Sequence, residues 1–227
     1  MAGTRVSDAQ IEEAGGLQNV ALFGDNIPHK DYIDCFLGFI EFIITNSKQG
    51  NLSFQNIQNL FQTFVSQSIS DYEQKVFFNF LTKENEAATT RDRRYLLDER
   101  RRTDVFQKIM CNNAELDCTR LGIEGFQCFK MLLLHVNAEH RHINQISKTG
   151  SFEVIDHVHF QNLLGLETLW SITIQSQDAS VKSESRKFLV EIFLKSNIES
   201  KHRRKFIENF VLKIETISQQ LSNLQAD

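Results

Sequence analysis

From residue 31 onward, apolar positions recur at three- and four-residue steps rather than alternating, which is the spacing of amphipathic helices. Tyr32, Cys35, Phe36, Phe39, Ile40 and Ile43 fall on one such stripe. Lys48-Gln49-Gly50-Asn51 ends that helix, because glycine can take the left-handed cap. Ser53 is an N-cap for a second helix carrying Phe54, Ile57, Leu60, Phe61, Phe64 and Val65. Ser70 or Asp71 opens a third with Val76, Phe77 and Phe80, fading by Glu84. Residues 1–30 lack this period; Gly15-Gly16, Gly24, Asn26 and Pro28 punctuate them, with a short helical stretch around Ala9–Ala14.

Arg91 to Asn113 is helical but interrupted, since Asp98 to Asp104 contains no apolar residue to carry a buried stripe. A break near Thr103 is expected, with Thr103 capping a helix that holds Val105, Phe106, Ile109 and Met110. About Ile123–Val136 is helical, with Phe126, Phe129, Leu133 and Val136 on one face. The polar run from Asn137 to Gly150 reads as a loop, and Phe152 to Phe160 partly alternates, as an extended connector would. Leu163–Gln175 is one helix and Asp178 or Ala179 to Ser196 a second, with a very short connection. Ser200 to about Leu224 is a last one, with Phe206, Phe210, Ile214, Ile217, Leu221 and Leu224 along one side.

Composition sharpens this picture. One proline in 227 residues, where average usage of about 5% gives roughly eleven, favours uninterrupted helices. Short links between amphipathic helices favour antiparallel neighbours. The expected fold is all-α, an armadillo/HEAT-like α-solenoid of about eight helices, with a compact bundle as the competing architecture. The chain divides into a poorly structured segment 1–30, helical repeats 31–137, a loop or linker 138–160 and helical repeats 161–227. Solenoid ends normally carry polar caps, and the apolar stripe of Ser200–Leu224 is not one, so the chain is expected to be cut from a longer array.

Charge and cysteine usage exclude some functions. A formal net charge of −4 argues against general nucleic-acid binding. The most apolar stretch, Tyr32–Ile44, holds Asp34 and Glu41 and is shorter than the ~20 residues a membrane helix needs. No apolar signal segment opens the chain. Cys35, Cys111, Cys118 and Cys128 show no paired spacing and read as free thiols of a cytoplasmic or nuclear protein.

Candidate chemistry is sparse. Cys128 and His135 share a helical stripe but lie about 10.5 Å apart along the axis, beyond the reach of a nucleophile–base pair. Cys128 sits between Phe126 and Phe129, which suits a buried thiol. His140-Arg-His142 and His157-Val-His159 would each project two rings to one side of an extended backbone. Without further ligands at workable spacing they read as surface histidines, and no metal or other cofactor is expected. Nucleotide-binding glycine motifs are absent, and no catalytic residue is assigned. Arg91, Arg93, Arg94, Arg100, Arg101 and Arg102 form the densest basic stretch, with Lys201 to Lys205 as another. Asp92, Asp98, Glu99 and Asp104 interleave with the first. Arg94–Asp98 and Asp98–Arg102 can pair four apart on a helix, giving a solvated face. The alternative is a surface for an acidic partner, built on Arg93, Arg94, Arg100, Arg101 and Arg102.

Leu163-Leu164-Gly165-Leu166-Glu167-Thr168-Leu169-Trp170, followed by Ile172, Ile174-Gln175-Ser176 and Asp178, carries a more specific signal. Leu189-Val190-Glu191-Ile192-Phe193 and, upstream, Gly125 to Phe129 with the Val136-Asn137 step accompany it. Together these resemble the helical region ahead of the catalytic domain in the very large fat-facets-type ubiquitin-specific proteases. The resemblance covers residues 125–194; the preceding hundred match only in helical character. Within it Leu164, Gly165, Leu166, Leu169, Trp170 and Asp178 are structural, glycine permitting close helix approach and the indole filling a groove. Arg186 and Lys187 depart from the pattern. None of the four cysteines has the Asn-x-Gly-Asn-Thr context of the family's nucleophile. The resemblance therefore implies a non-catalytic scaffold from a cysteine-type deubiquitinase. Its partners would be proteins (ubiquitinated substrates or adaptors) and neighbouring repeats, with neither nucleic acid nor membrane. A free-standing α-solenoid adaptor is the alternative.

Overall fold

The computed structural model describes residues 28–46, 52–86, 97–112, 114–145, 152–155 and 162–196, with 204, 207–208 and 211–212. Among these residues lie seven helices: α1 (His29–Asn46), α2 (Phe54–Phe61), α3 (Asp71–Glu86), α4 (Glu99–Val105), α5 (Ile123–Glu139), α6 (Leu166–Gln175) and α7 (Ala179–Lys195). Single π-helical turns extend α2 over Gln62–Ser66 and α4 over Phe106–Met110. The backbone is also helical at Arg204, Ile207, Glu208, Val211 and Leu212. The rest of the expected Ser200–Leu224 helix lies outside the described residues, as do residues 1–27.

Local chemistry places the helix starts. Pro28 cannot continue a helix backward, and its carbonyl accepts from the amides of Asp31 and Tyr32. Ser53 Oγ accepts from Asn56 N at 3.2 Å, as its N-cap position predicts. Asp98 caps α4 through Arg101 N at 2.8 Å. That cap corrects the expected break at Thr103, which is interior to α4. The apolar-free stretch needs no break, because Asp98 lies ahead of the helix. Inside the helix, the long stem of Arg102 is largely buried where a stripe residue would stand.

Helices α1, α3, α5 and α7 pack side by side in that order, and α2, α4 and α6 lie against them. The first turns of α1 and α3 meet through His29 Nε2 and Glu73 Oε1, and Tyr72 Oη donates to Asp34 in the second turn of α1 at 2.7 Å. Lys75 of α3 pairs with Glu124 at the start of α5. Helix α5 sits at the centre and buries Phe126, Cys128, Phe129, Leu132, Leu133, Leu134 and Val136. Phenylalanine supplies much of the interlocking volume. Phe61, Phe64, Phe77 and Phe78 contact one another between α2 and α3, Phe106 meets Phe129, and Phe126 and Phe152 both meet Phe188.

Two expectations differ from the structure. The stripe of Tyr32, Phe36, Phe39 and Ile43 is exposed; α1 packs inward through Ile33, Leu37 and Ile44 instead. Both faces of this helix are apolar, so periodicity alone could not choose between them. The run expected as a loop begins with the last turn of α5 and then forms β1 (Ile143–Gln145), antiparallel to β2 (Phe152–Val154), with Ile143 opposite Val154. Ile143, Phe152 and Val154 are buried, so the strand pair folds inward as a flap on α5 and α7. His157 and His159 lie outside the described residues.

Candidate functional site

The Leu-Gly-Leu segment is held by a buried asparagine. Asn137, fully buried near the end of α5, donates through Nδ2 to the carbonyls of Leu133 at 2.8 Å and Leu164 at 3.0 Å. Its Oδ1 accepts from Leu164 N at 2.9 Å and meets His142 Nδ1 at 3.2 Å. One amide thus satisfies both main-chain groups of Leu164 and uses both its own donors. Next in the chain, Gly165 takes φ 82° as the N-cap of α6. A Cβ there would stand 2.3 Å from Phe106 Cζ, so the backbone touches the aromatic ring directly. Leu166, Leu169 and Trp170 are buried, and Asp178 caps α7 through Ser180 N at 2.7 Å and Val181 N at 3.3 Å. Arg186 and Lys187 lie on the exposed side of α7.

The arginine cluster is divided by the fold. Arg93 and Arg94 lie outside the described residues. Arg100 is exposed, and Arg101 reaches back to Asp98 at 2.8 Å. Arg102 does not pair with Asp98, as four-residue spacing predicted. The Asp98 carboxylate is turned over the first amides of α4, while Arg102 crosses to Glu139 of α5 at 2.6 Å. Beside it, burial first and Arg102 second lower the pKa of His135 to about 4, so its ring is neutral. Burial holds the Glu139 carboxyl above its ordinary value despite the neighbouring guanidinium.

None of the buried thiols is activated. Burial raises Cys128 to about 12 and Cys111 and Cys118 to about 11. Cys128 faces Thr82 of α3 whereas His135 faces Arg102 of α4, so the two do not meet. Cys35 is exposed. His140 and His142 do not lie on an extended backbone: His140 ends α5, and Arg141 between them takes φ 57°. Their ring centroids are 6.0 Å apart, and among the described residues no group of three or more potential ligands gathers.

Geometry does provide a groove that periodicity did not announce. About 670 Å³ in volume, it opens where α3, α5 and α7 begin. Lys75, Arg120, Gln74 and Gln177 line it beside Phe78, and Gly122 caps α5 without a side chain. Asp71, Glu124 and Asp178 outnumber the two cations by one. Helix-start amides, amide side chains and mixed charges suit hydrogen bonding to an extended polar segment; the lining holds no nucleophilic thiol. Its residues are contributed by loops and helix starts scattered over 71–178, which is why spacing could not reveal it.

The family described as UBP24/USP9X/USP9Y ARM repeat has a sequence model that matches residues 4–137. The chain belongs to this family. The match bears out the expected resemblance to the helical region of the fat-facets-type proteases, but it covers the first helices and shares only residues 125–137 with the 125–194 segment. Gly125 to Phe129 and Asn137 fall inside the match; the Leu-Gly-Leu and Trp170 motif falls outside it. An armadillo-like all-α fold follows from the family and from the helices together. No curated protein matches the chain. Among the described residues no helix is long and apolar enough to cross a membrane.

Three outcomes follow from this geometry. Gly165→Ala strains a positive φ and drives a methyl into Phe106, costing about 2–4 kcal/mol in urea unfolding. Asn137→Ala strands the amide and carbonyl of Leu164, for a loss of about 2–4 kcal/mol and faster amide exchange at Leu164. Because the folded pKa of His135 lies below its ordinary 6.5, the unfolded chain binds the extra proton. Its contribution is therefore complete above about pH 6.5 and is lost as pH falls towards 4, by up to about 3 kcal/mol. Glu139 acts with the opposite sign, so the comparison of wild type with His135→Gln isolates the histidine, and the variant should show a flatter pH profile.

Proposed function

We propose that this chain is a non-catalytic helical scaffold of a large cysteine-type deubiquitinating enzyme, and that it recruits ubiquitinated substrates or adaptors for ubiquitin removal. The observation that carries this reading is the ARM repeat match over residues 4–137. Armadillo-type stacks present extended surfaces to other proteins. The groove at the starts of α3, α5 and α7 supplies a recruiting surface, with Lys75 and Arg120 as its cations. Buried thiols raised to about 11 or 12 support a scaffold rather than a hydrolytic role for this part. Exposed Arg100 adds a contact for an acidic partner. A cytoplasmic or nuclear setting, where ubiquitin conjugates occur, fits the four free cysteines.

Two measurements test the reading together. A ubiquitin–fluorophore substrate should show no turnover by the chain, and turnover would overturn the scaffold role. Proximity labelling in cells should recover ubiquitin-conjugated proteins, and Lys75→Glu with Arg120→Glu should reduce that recovery severalfold. A labelled set devoid of ubiquitin conjugates would remove the deubiquitinase reading, and one unchanged by the groove variant would remove the groove.

A further inference from the structure

The groove where α3, α5 and α7 begin presents main-chain groups that its own walls leave unpaired. Leu121 and Gly122 form the short link into α5, and Gly122 is extended at φ −79° and ψ 174°. The turn ahead of them closes on itself, with Arg120 N donating to Asp117 O at 3.3 Å. From the opposite wall, Gln177 N donates to Thr119 O at 3.1 Å. Among the described residues, the amides of Leu121 and Gly122 and the carbonyl of Leu121 have no such partner. Unpaired extended backbone is a template for a further strand.

A second group across the groove makes the same demand. Gln74 lines the opening although it is only 8% exposed. Its Nε2 donates to Ser68 Oγ at 2.9 Å, which leaves Oε1 as an acceptor without a donor among the described residues. An unpaired amide oxygen in so buried a side chain is costly, and an N–H from outside the chain completes it. A docked helix keeps its main-chain groups for itself and would satisfy none of these atoms. An extended chain offers both N–H and C=O along its length.

Charges narrow the occupant further. Lys75 is paired with Glu124 at 3.1 Å, and the first amides of α7 hold the Asp178 carboxylate. Arg120 and Asp71, also in the lining, make no ion pair among the described residues. We propose that the groove takes an extended polar segment of a partner protein, paired main chain to main chain with Leu121 and Gly122. The segment donates an N–H to Gln74 and sets an acidic side chain at Arg120 and a basic one at Asp71. Two helix spacings of about 8–10 Å separate α3 from α7, so roughly five or six residues at about 3.3 Å each cross it. This inference rests on the groove being the recruiting surface proposed above and names what it recruits; it needs no deubiquitinase.

A displayed library of random linear peptides, selected on the full chain, supplies the probe. The tightest binder is then measured by fluorescence anisotropy, with circular dichroism confirming the fold of each variant. It should carry both an acidic and a basic residue, and methylating its main-chain nitrogens in turn should weaken it about tenfold at the paired positions. Gly122→Pro removes the amide hydrogen while φ −79° suits proline, so binding should also fall about tenfold. Gly122→Ala keeps the N–H, and its methyl meets only Glu124 Oε2 at 3.9 Å, so affinity should hold. Failure to select a binder, a binder lacking both charges or indifferent to Gly122→Pro, or a bound peptide that is helical by NMR would overturn the proposal and leave the scaffold reading standing. Should Gly122→Pro unfold the chain, the methylated peptides decide, undiminished binding overturning the proposal. Shifts of the Leu121 and Gly122 amides that follow protein concentration alone would assign the groove to a second copy and overturn it too. Peptide binding that obeys these expectations, in a chain whose labelled set lacks ubiquitin conjugates, would sustain this inference and remove the deubiquitinase reading alone.

Discussion

The side chain of Asn137 carries the connection between the two parts of the stack. A helix that ends inside a protein leaves carbonyls to satisfy, and a chain that re-enters the interior brings an amide and a carbonyl with it. Asn137 answers both demands, holding Leu133 O in its own helix and both main-chain groups of Leu164 across the gap. Because the residue is fully buried, no water competes for these bonds. The left-handed turn at Gly165, the seating of α6 on Phe106 and the direction in which α6 leads to α7 all follow from where Leu164 is held. The β1–β2 flap belongs to the same arrangement, since His142, just ahead of β1, bonds Asn137 through both its ring and its main-chain amide.

Around that joint, phenylalanine rings fill space while a few ionic groups set direction. Arg102 and Glu139 link α4 to α5, and burial of His135, helped by the Arg102 charge, keeps its ring neutral and weakly basic. His29 and Glu73 align the first turns of α1 and α3, with Glu73 also accepting from Ile69 N at 2.8 Å. Such buried pairs bring more orientation than net stability, because desolvation offsets much of the Coulomb attraction.

The helical period was legible because most helices bury one stripe, and the cap of α2 was legible because Ser53 has a short side-chain oxygen at the helix start. What misled was ambiguity or distance. Helix α1 has apolar residues on both sides, so its inward face depends on α3. Asp98 and Arg102 have ideal spacing for a pair, yet a cap position and a partner 37 residues later decide otherwise. The strand pair was hidden because its three-residue segments are too short to show a period.

By itself the sequence determined the helical class, the positions of most helix starts and the inert setting of Cys128, since all three depend on neighbours within a few turns. Tertiary structure alone decided which face of α1 points outward, which cation meets which carboxylate, and that three helix starts open on one groove. Those outcomes depend on how the helices pack and on contacts between residues distant in the chain, and no local pattern encodes them.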